Sequence, residues 1–130
     1  MLQFGRLLSY PLAFRHLEDK IKDVQLSDLK VTKIAENQIM INGIANNYDV
    51  QILVLDNIIQ VSSPIICSCG CQHFEFSLAY GLYQQKSLLH PESFTLRPPK
   101  KKNTSLTLSG CKHLIKVARE VFSKKYLQQK

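Results

Sequence analysis

The sequence lacks the features that mark membrane-spanning and disordered proteins. It contains no tryptophan, few glycines and prolines, and no apolar run near the roughly 18 to 20 residues that cross a bilayer. Residues 1–19 show no charged-then-apolar signal pattern, so we expect an intracellular product. A hydrophobic fraction of 45% in 130 residues predicts one folded domain with a modest core.

Acidic residues are also scarce. Ten Asp and Glu stand against seventeen Lys and Arg, which gives a formal net charge of +7. This balance favours acidic partners, either nucleic acid or an anionic protein surface, without choosing between them. In the densest basic stretch we predict contacts to a partner or to nucleic acid by Arg97, Lys100, Lys101 and Lys102.

Only four cysteines are present, and three of them occupy alternate positions. Spacing this tight, in a chain without a secretion signal, favours a metal site over disulfides. The fourth, Cys111, stands two residues before His113 at the start of an apolar helical pattern. Thiolates and imidazoles are the ligands that structural Zn²⁺ takes at tetrahedral positions. Six residues compete for the four positions: Cys67, Cys69, Cys71, His73, Cys111 and His113.

The first half of the chain predicts a helix followed by a sheet. Residues 1–24 carry apolar side chains at helical spacing, with Ser9 as the N-cap and Pro11 in the first turn. Residues 25–66 alternate β-branched and aliphatic side chains between pairs of turn residues. This pattern predicts an antiparallel meander of four or five short strands, one of them at 58–61.

The second half, residues 67–130, carries the candidate ligands at two separated places. Between them, residues 77–109 show little periodicity and predict a long irregular insert of the kind that is often functional. From near Cys111 to about Tyr126, apolar residues recur at helical spacing. The sequence therefore predicts one α+β domain, 1–130, with an N-terminal helix, a β-meander, a zinc knuckle and a C-terminal helix.

The order of these ligands resembles the SWIM-type zinc-binding domain, whose outline is Cys-x-Cys, a variable insert and Cys-x-His before an apolar helix. In that family an aromatic residue commonly stands three positions after the second cysteine, and Phe74 stands three after Cys71. The resemblance favours Cys71 and makes Cys67 the alternate ligand. It implies one structural Zn²⁺ held by Cys69, Cys71, Cys111 and His113.

The likeness extends to small SWIM-like proteins of tailed bacteriophages and covers roughly the C-terminal half. Their Cys-x-Cys-x-x-Phe-x-Phe start is matched at 69–76, and their Ala-Tyr pair at 79–80. The Pro- and Lys-rich insert is matched at 97–100, and the Gly-Cys-Lys-His-Leu helix start at 110–114. The resemblance implies a virion structural or assembly protein, made in the host bacterial cytoplasm, that docks on neighbouring subunits. Its alternative implication is a nucleic-acid-binding module using the basic insert and the last helix.

An enzyme is not expected. Zinc with four protein ligands has no open position for water, and thiolates bound to zinc are not free to attack a substrate. The segment His73-Phe74-Glu75 contains the His-x-Glu of zinc deaminases but lacks their Pro-Cys-x-x-Cys partner. We therefore assign no catalytic residue, no small-molecule substrate and no membrane partner.

Overall fold

The fold is built on a four-stranded antiparallel meander. The computed structural model describes residues 1–8, 12–96 and 110–124. The strands pair in chain order: β1 Leu26–Ala35, β2 Gln38–Ala45, β3 Tyr48–Val54 and β4 Ile65–Cys69. Helical segments precede and follow the sheet in the sequence, and a cysteine cluster lies between the sheet and the last helix. The predicted α+β class is therefore confirmed.

Helical structure takes several forms around the sheet. Ahead of it, the predicted N-terminal helix is two 3₁₀ segments, Phe4–Leu7 and Leu12–Asp23, while Ser9 and Pro11 lie outside the described residues. Nowhere in the described ranges is a helix both long and apolar enough to cross a membrane. After the sheet come a π-helical turn Phe74–Leu78, helix α1 Ala79–Gln84, a 3₁₀ turn Pro91–Ser93 and helix α2 Lys112–Ser123.

One face of the sheet is buried, as the period-2 burial pattern of β2 and β3 shows, and β4 contributes Ile65, Cys67 and Cys69 to the same face. Helix α2 covers this face, and the approach is close because a Cβ at Gly43 would lie only 3.4 Å from Val117 Cγ2. The antiparallel register aligns buried residues into rows across the three strands. Two of these rows are Ile41–Ile52–Cys67 and Gly43–Val50–Cys69.

The N-terminal residues close the core at the end of the sheet where β3 leaves and β4 begins. The amide of Phe4 donates to Ser63 O at 2.9 Å, and the amide of Ile65 donates to Leu2 O at 2.9 Å. Leu2, Phe4 and Leu7 are buried. Residues 2–3 therefore pair with the segment that leads into β4, and the first helical turn begins only at Phe4.

The connection from β3 to β4 differs from the sequence prediction. Residues 58–61, predicted as a strand, form turns, and the next strand begins only at Ile65. The reason is a local hydrogen-bond network: the Asp56 carboxylate accepts from the Asn57 amide at 2.8 Å and from the Ser63 hydroxyl at 2.9 Å. Such side-chain contacts compete with strand pairing. Strand β4 accordingly runs into the cysteines instead of ending before them.

The predicted irregular insert is also partly ordered by burial. From residue 77 to 96 it contains helix α1 and a segment that pairs with β4, where the Cys67 amide donates to Ser87 O at 2.9 Å and the Leu89 amide donates to Cys67 O at 2.9 Å. Leu82 and Leu88 are buried. These apolar side chains were the sequence signal for an ordered segment, and the prediction of an irregular insert overlooked them. Residues 97–109 lie outside the described part of the chain.

Candidate metal centre

The first pair of candidate donors lies where β4 ends. Cys69 is the last residue of the strand, and the Gly70 amide continues the pairing by donating to Asp49 O at 3.3 Å. The chain then turns, and the amide of Phe74 donates to Cys71 Sγ at 3.4 Å. A backbone N–H directed at sulfur favours its thiolate form, which is the form that binds a metal.

The second pair lies at the start of helix α2. Cys111 is the N-cap residue with extended backbone (φ −79°, ψ 174°), and its carbonyl accepts from the Ile115 amide at 3.0 Å. His113 follows in the first turn. The entry to the helix is tightly packed, because a Cβ at Gly110 would lie 2.8 Å from Leu7 Cδ2. The positive end of the helix dipole favours a thiolate at Cys111.

The two pairs meet. One ligand atom from each of the four residues, three Sγ atoms and a histidine nitrogen, lies within 4.8 Å of the others. Cys69 Sγ lies 3.7 Å from His113 Nδ1, and Cys111 Sγ lies 3.8 Å from the same nitrogen. A tetrahedron with metal–sulfur bonds of ~2.3 Å has edges of about 3.8 Å. The donor set therefore fits a metal ion in size and chemistry, and all four side chains are buried.

Cys67, the alternate ligand, lies outside this cluster. It shares the buried face of β4 with Cys69 but stands one row deeper, opposite Ile52. Burial, with a smaller contribution from the neighbouring Cys69, raises the pKa of the Cys67 thiol to about 12. Cys67 is thus a neutral packing residue. His73 likewise is not among the clustered donors.

The three clustered thiols differ in pKa. Hydrogen bonds from Cys111 and then Cys69 lower the pKa of Cys71 far below its ordinary value, against the opposing effect of burial. Burial, followed by the bonds to the other two sulfurs, raises the pKa of Cys111. For Cys69 the bond from Cys111 lowers the pKa, but its bond to Cys71 and burial outweigh this and raise it to about 12.

The difference in pKa among the three thiols indicates how a bound cation would change their ionisation. Hydrogen bonds from the other two thiols and from His113 favour the thiolate form of Cys71. A divalent cation would supply the charge that ionises Cys69 and Cys111 as well, since coordinated thiols lose their protons.

Asn46 in the β2–β3 turn and Tyr48 at the start of β3 contact the ring of His113, and neither contact was predicted. Asn46 Nδ2 lies 3.4 Å from His113 Nε2, and the Tyr48 ring centroid lies 5.0 Å from that of the imidazole. The Asn-Asn pair predicted a turn, which the left-handed φ angles of 51° and 70° at Asn46 and Asn47 bear out. The pattern carried no signal for a contact with a residue so far along the chain.

A groove gives access to the cluster. It encloses about 470 Å³, and its lining includes the donors Cys71, Cys111 and His113. Lys20 and Lys112 also line it and would offset the negative charge of three thiolates. The predicted contact residues Arg97, Lys100, Lys101 and Lys102 lie outside the described residues.

Comparison with known proteins does not add to this picture. No protein-family model, no curated protein and no solved structure matches the chain. The four buried donors and their surroundings are therefore the features of the chain that bear on its function.

Proposed function

We propose that the protein is a non-catalytic zinc-binding module of the SWIM type, in which one structural Zn²⁺ joins the end of β4 to the start of α2. The observation that carries this proposal is the convergence of four buried donor atoms within 4.8 Å. They come from the end of β4 with the turn after it and from the start of α2. The ligands are Cys69, Cys71, Cys111 and His113.

Zinc is favoured by the chemistry of the donors. Thiolates are soft ligands and imidazole is borderline, and this combination in a tetrahedral arrangement is typical of structural zinc. Four protein donors complete the coordination shell, so the proposed site keeps no position for a reactive water. The role assigned to the metal is therefore to hold the fold together.

The energetic scale makes this role a large one. Structural zinc contributes on the order of 10 kcal/mol or more to folding in small domains. The whole stability of a typical domain is about 5 to 15 kcal/mol. Because α2 covers the buried face of the sheet, loss of the ion that anchors its first turn would release much of the core.

The first test is the metal content of the purified protein, measured by elemental analysis and paired with melting scans before and after chelation. We expect one zinc per chain and a large fall in melting temperature on chelation, reversed by added Zn²⁺ but not by added Mg²⁺. Protein that takes up no zinc and melts unchanged in chelator would refute the zinc-binding proposal.

We further propose that the module serves in assembly, docking on neighbouring subunits of a tailed phage particle. The resemblance of the ligand pattern to small phage proteins supports this role. So do two exposed aromatic side chains between the two donor pairs in the sequence, Phe76 at 57% and Tyr83 at 48% relative exposure. Mass spectrometry of purified particles from a phage that encodes the chain tests it. Absence of the chain from both the particles and their assembly intermediates would contradict it.

The net charge of +7 favours a second candidate function, nucleic-acid binding through the basic insert and helix α2. Fluorescence anisotropy with a labelled 20-base-pair duplex distinguishes the two. Phosphate contacts predict binding that weakens by about 10³- to 10⁵-fold between 50 and 200 mM salt for a protein that makes several of them. No binding at 50 mM salt would eliminate this candidate and leave the docking role.

A further inference from the structure

The turn between β2 and β3 is fixed by the side chain of its first residue. Asn46 Oδ1 accepts from the Gln25 amide at 2.8 Å, and the Asn46 amide donates to Gln25 O at 2.9 Å. Asn46 has a left-handed φ of 51°, a conformation that asparagine tolerates better than most residues. Its carboxamide oxygen is therefore hydrogen-bonded to the chain that enters β1 in this structure.

The other end of this carboxamide faces the candidate metal centre. Asn46 Nδ2 lies 3.4 Å from His113 Nε2, and the Tyr48 ring packs against the imidazole at 5.0 Å with a tilt of 52°. The opposite ring nitrogen, Nδ1, faces Cys69 and Cys111 at 3.7 and 3.8 Å. The ring is thus oriented with one nitrogen toward the sulfurs and the other toward the turn.

We propose that Asn46 is a positioning residue of the metal centre, which sets the orientation of His113 so that Nδ1 is presented to the ion. The inference rests on the proposed zinc site and adds a residue from a third segment of the chain. Ligating histidines generally hold their second nitrogen in a hydrogen bond, and losing that partner typically weakens metal binding 10- to 100-fold.

Proton placement makes the proposal specific. A neutral imidazole that binds a metal through Nδ1 carries its proton on Nε2, which then needs an acceptor. The Asn46 oxygen is engaged by Gln25, so the amide group that faces Nε2 is a donor. Metal binding therefore requires the Asn46 side chain to turn its oxygen toward His113 and give up the Gln25 contact. An aspartate would supply an acceptor to both groups at once.

The first variant pair removes the side chain without straining the turn. Asn46→Gly keeps the left-handed backbone, which glycine adopts freely, and Asn47→Gly makes the same change at the exposed neighbour with φ 70°. We expect Asn46→Gly to bind Zn²⁺ about 10- to 100-fold more weakly than wild type in competition with a chromophoric chelator. Asn47→Gly should retain wild-type affinity. Equal affinities of the two glycine variants would overturn the proposal.

The second pair separates hydrogen bonding from charge. Asn46→Asp should bind Zn²⁺ more tightly than Asn47→Asp, which adds the same charge one residue away. The ¹⁵N chemical shifts of His113 in the zinc-loaded protein should show the proton on Nε2. If Asn46→Asp binds no more tightly than Asn47→Asp, the hydrogen-bonding role is wrong, even where Asn46→Gly fails to fold. A wild-type protein that binds no zinc would instead refute the proposed function itself.

Discussion

The two ends of the sheet are closed in different ways. At the end where β3 leaves and β4 begins, Leu2 and Phe4 bury apolar surface, and a hydrogen-bonded loop around Asp56 covers them. At the other end, β4 stops at Cys69 beside three further buried donors and the Asn46 turn. One end is closed by hydrophobic burial, and the other by cysteines whose ionised, metal-binding thiolates would be costly to bury without a cation.

The difference concerns what each end needs in order to be stable. Apolar contacts are favourable once water is excluded, and they need no ligand. Three clustered thiolates repel one another unless a cation neutralises them. Burial, hydrogen bonds with the other two sulfurs and then this repulsion raise the pKa of Cys111. We therefore expect the cluster end to depend on zinc and the apolar end to be insensitive to it.

The largest expected effect distinguishes two cysteines on the same face of β4. Cys69→Ser should abolish zinc binding and lower the free energy of unfolding by on the order of 10 kcal/mol, which leaves the chain largely unfolded. Cys67→Ala should keep one zinc per chain and cost about 0.5 to 3 kcal/mol, because it removes only packing volume. Zinc content and urea denaturation measure both. Zinc release by Cys67→Ala, with zinc retained by Cys69→Ser, would reverse the assignment.

A core truncation tests whether the apolar end is independent of the metal. Phe4 is fully buried, so Phe4→Ala should lower the free energy of unfolding by about 3 to 5 kcal/mol. The folded variant should still hold one zinc, because Phe4 is not among the donors.

Phe76→Ala, at a side chain that is 57% exposed, is the matched control and should change the free energy of unfolding by no more than about 0.5 kcal/mol. If folded Phe4→Ala lost its zinc, the two ends could not be treated separately.

The smallest effect is expected in the β3–β4 connection. A hydrogen bond from Gln60, with others from Ser63 and the backbone, lowers the pKa of Asp56 below its ordinary value despite the opposing effect of burial. The charged form is therefore stabilised by folding, and this contribution is present at neutral pH and lost as pH falls through the lowered value.

At pH 7, Asp56→Asn should lower the free energy of unfolding by less than about 1 kcal/mol, since the group is close to solvent. Asp49→Asn, at an exposed position near the cluster, is the control and should lower the free energy of unfolding less than Asp56→Asn does. Urea denaturation at pH 7 measures both. An equal fall in both would show that the network around Asp56 adds nothing.

Much of the fold was predictable because it depends on local patterns. Alternation of apolar residues predicted the strands of the meander, and the Asn46-Asn47 pair predicted the turn between β2 and β3. The prediction of a strand at 58–61 was wrong because the Asp56 network forms turns there. Helix α1 was missed because it spans only six residues, too few to show a helical period in the sequence.

The candidate site was predictable in its donor types but not in its surroundings. Four of the six competing residues lie together, and the spacing of Phe74 after Cys71 had favoured this choice over Cys67 through a family resemblance. That these four bind zinc stays a prediction. The contacts of Asn46 and Tyr48 with His113 had no sequence signal, because they join residues more than sixty positions apart.

The sequence by itself determined the chemistry available: soft and borderline donors at two places, a sheet between them and an excess of positive charge. Only the tertiary structure decided which cysteines meet. The antiparallel register places Cys67 in a core row opposite Ile52, whereas the turn after Gly70 carries Cys71 back to the donors at the start of α2. Spacing along a chain limits which side chains share a face, but strand pairing and helix packing set the distances between sulfur and nitrogen atoms on which a metal site depends.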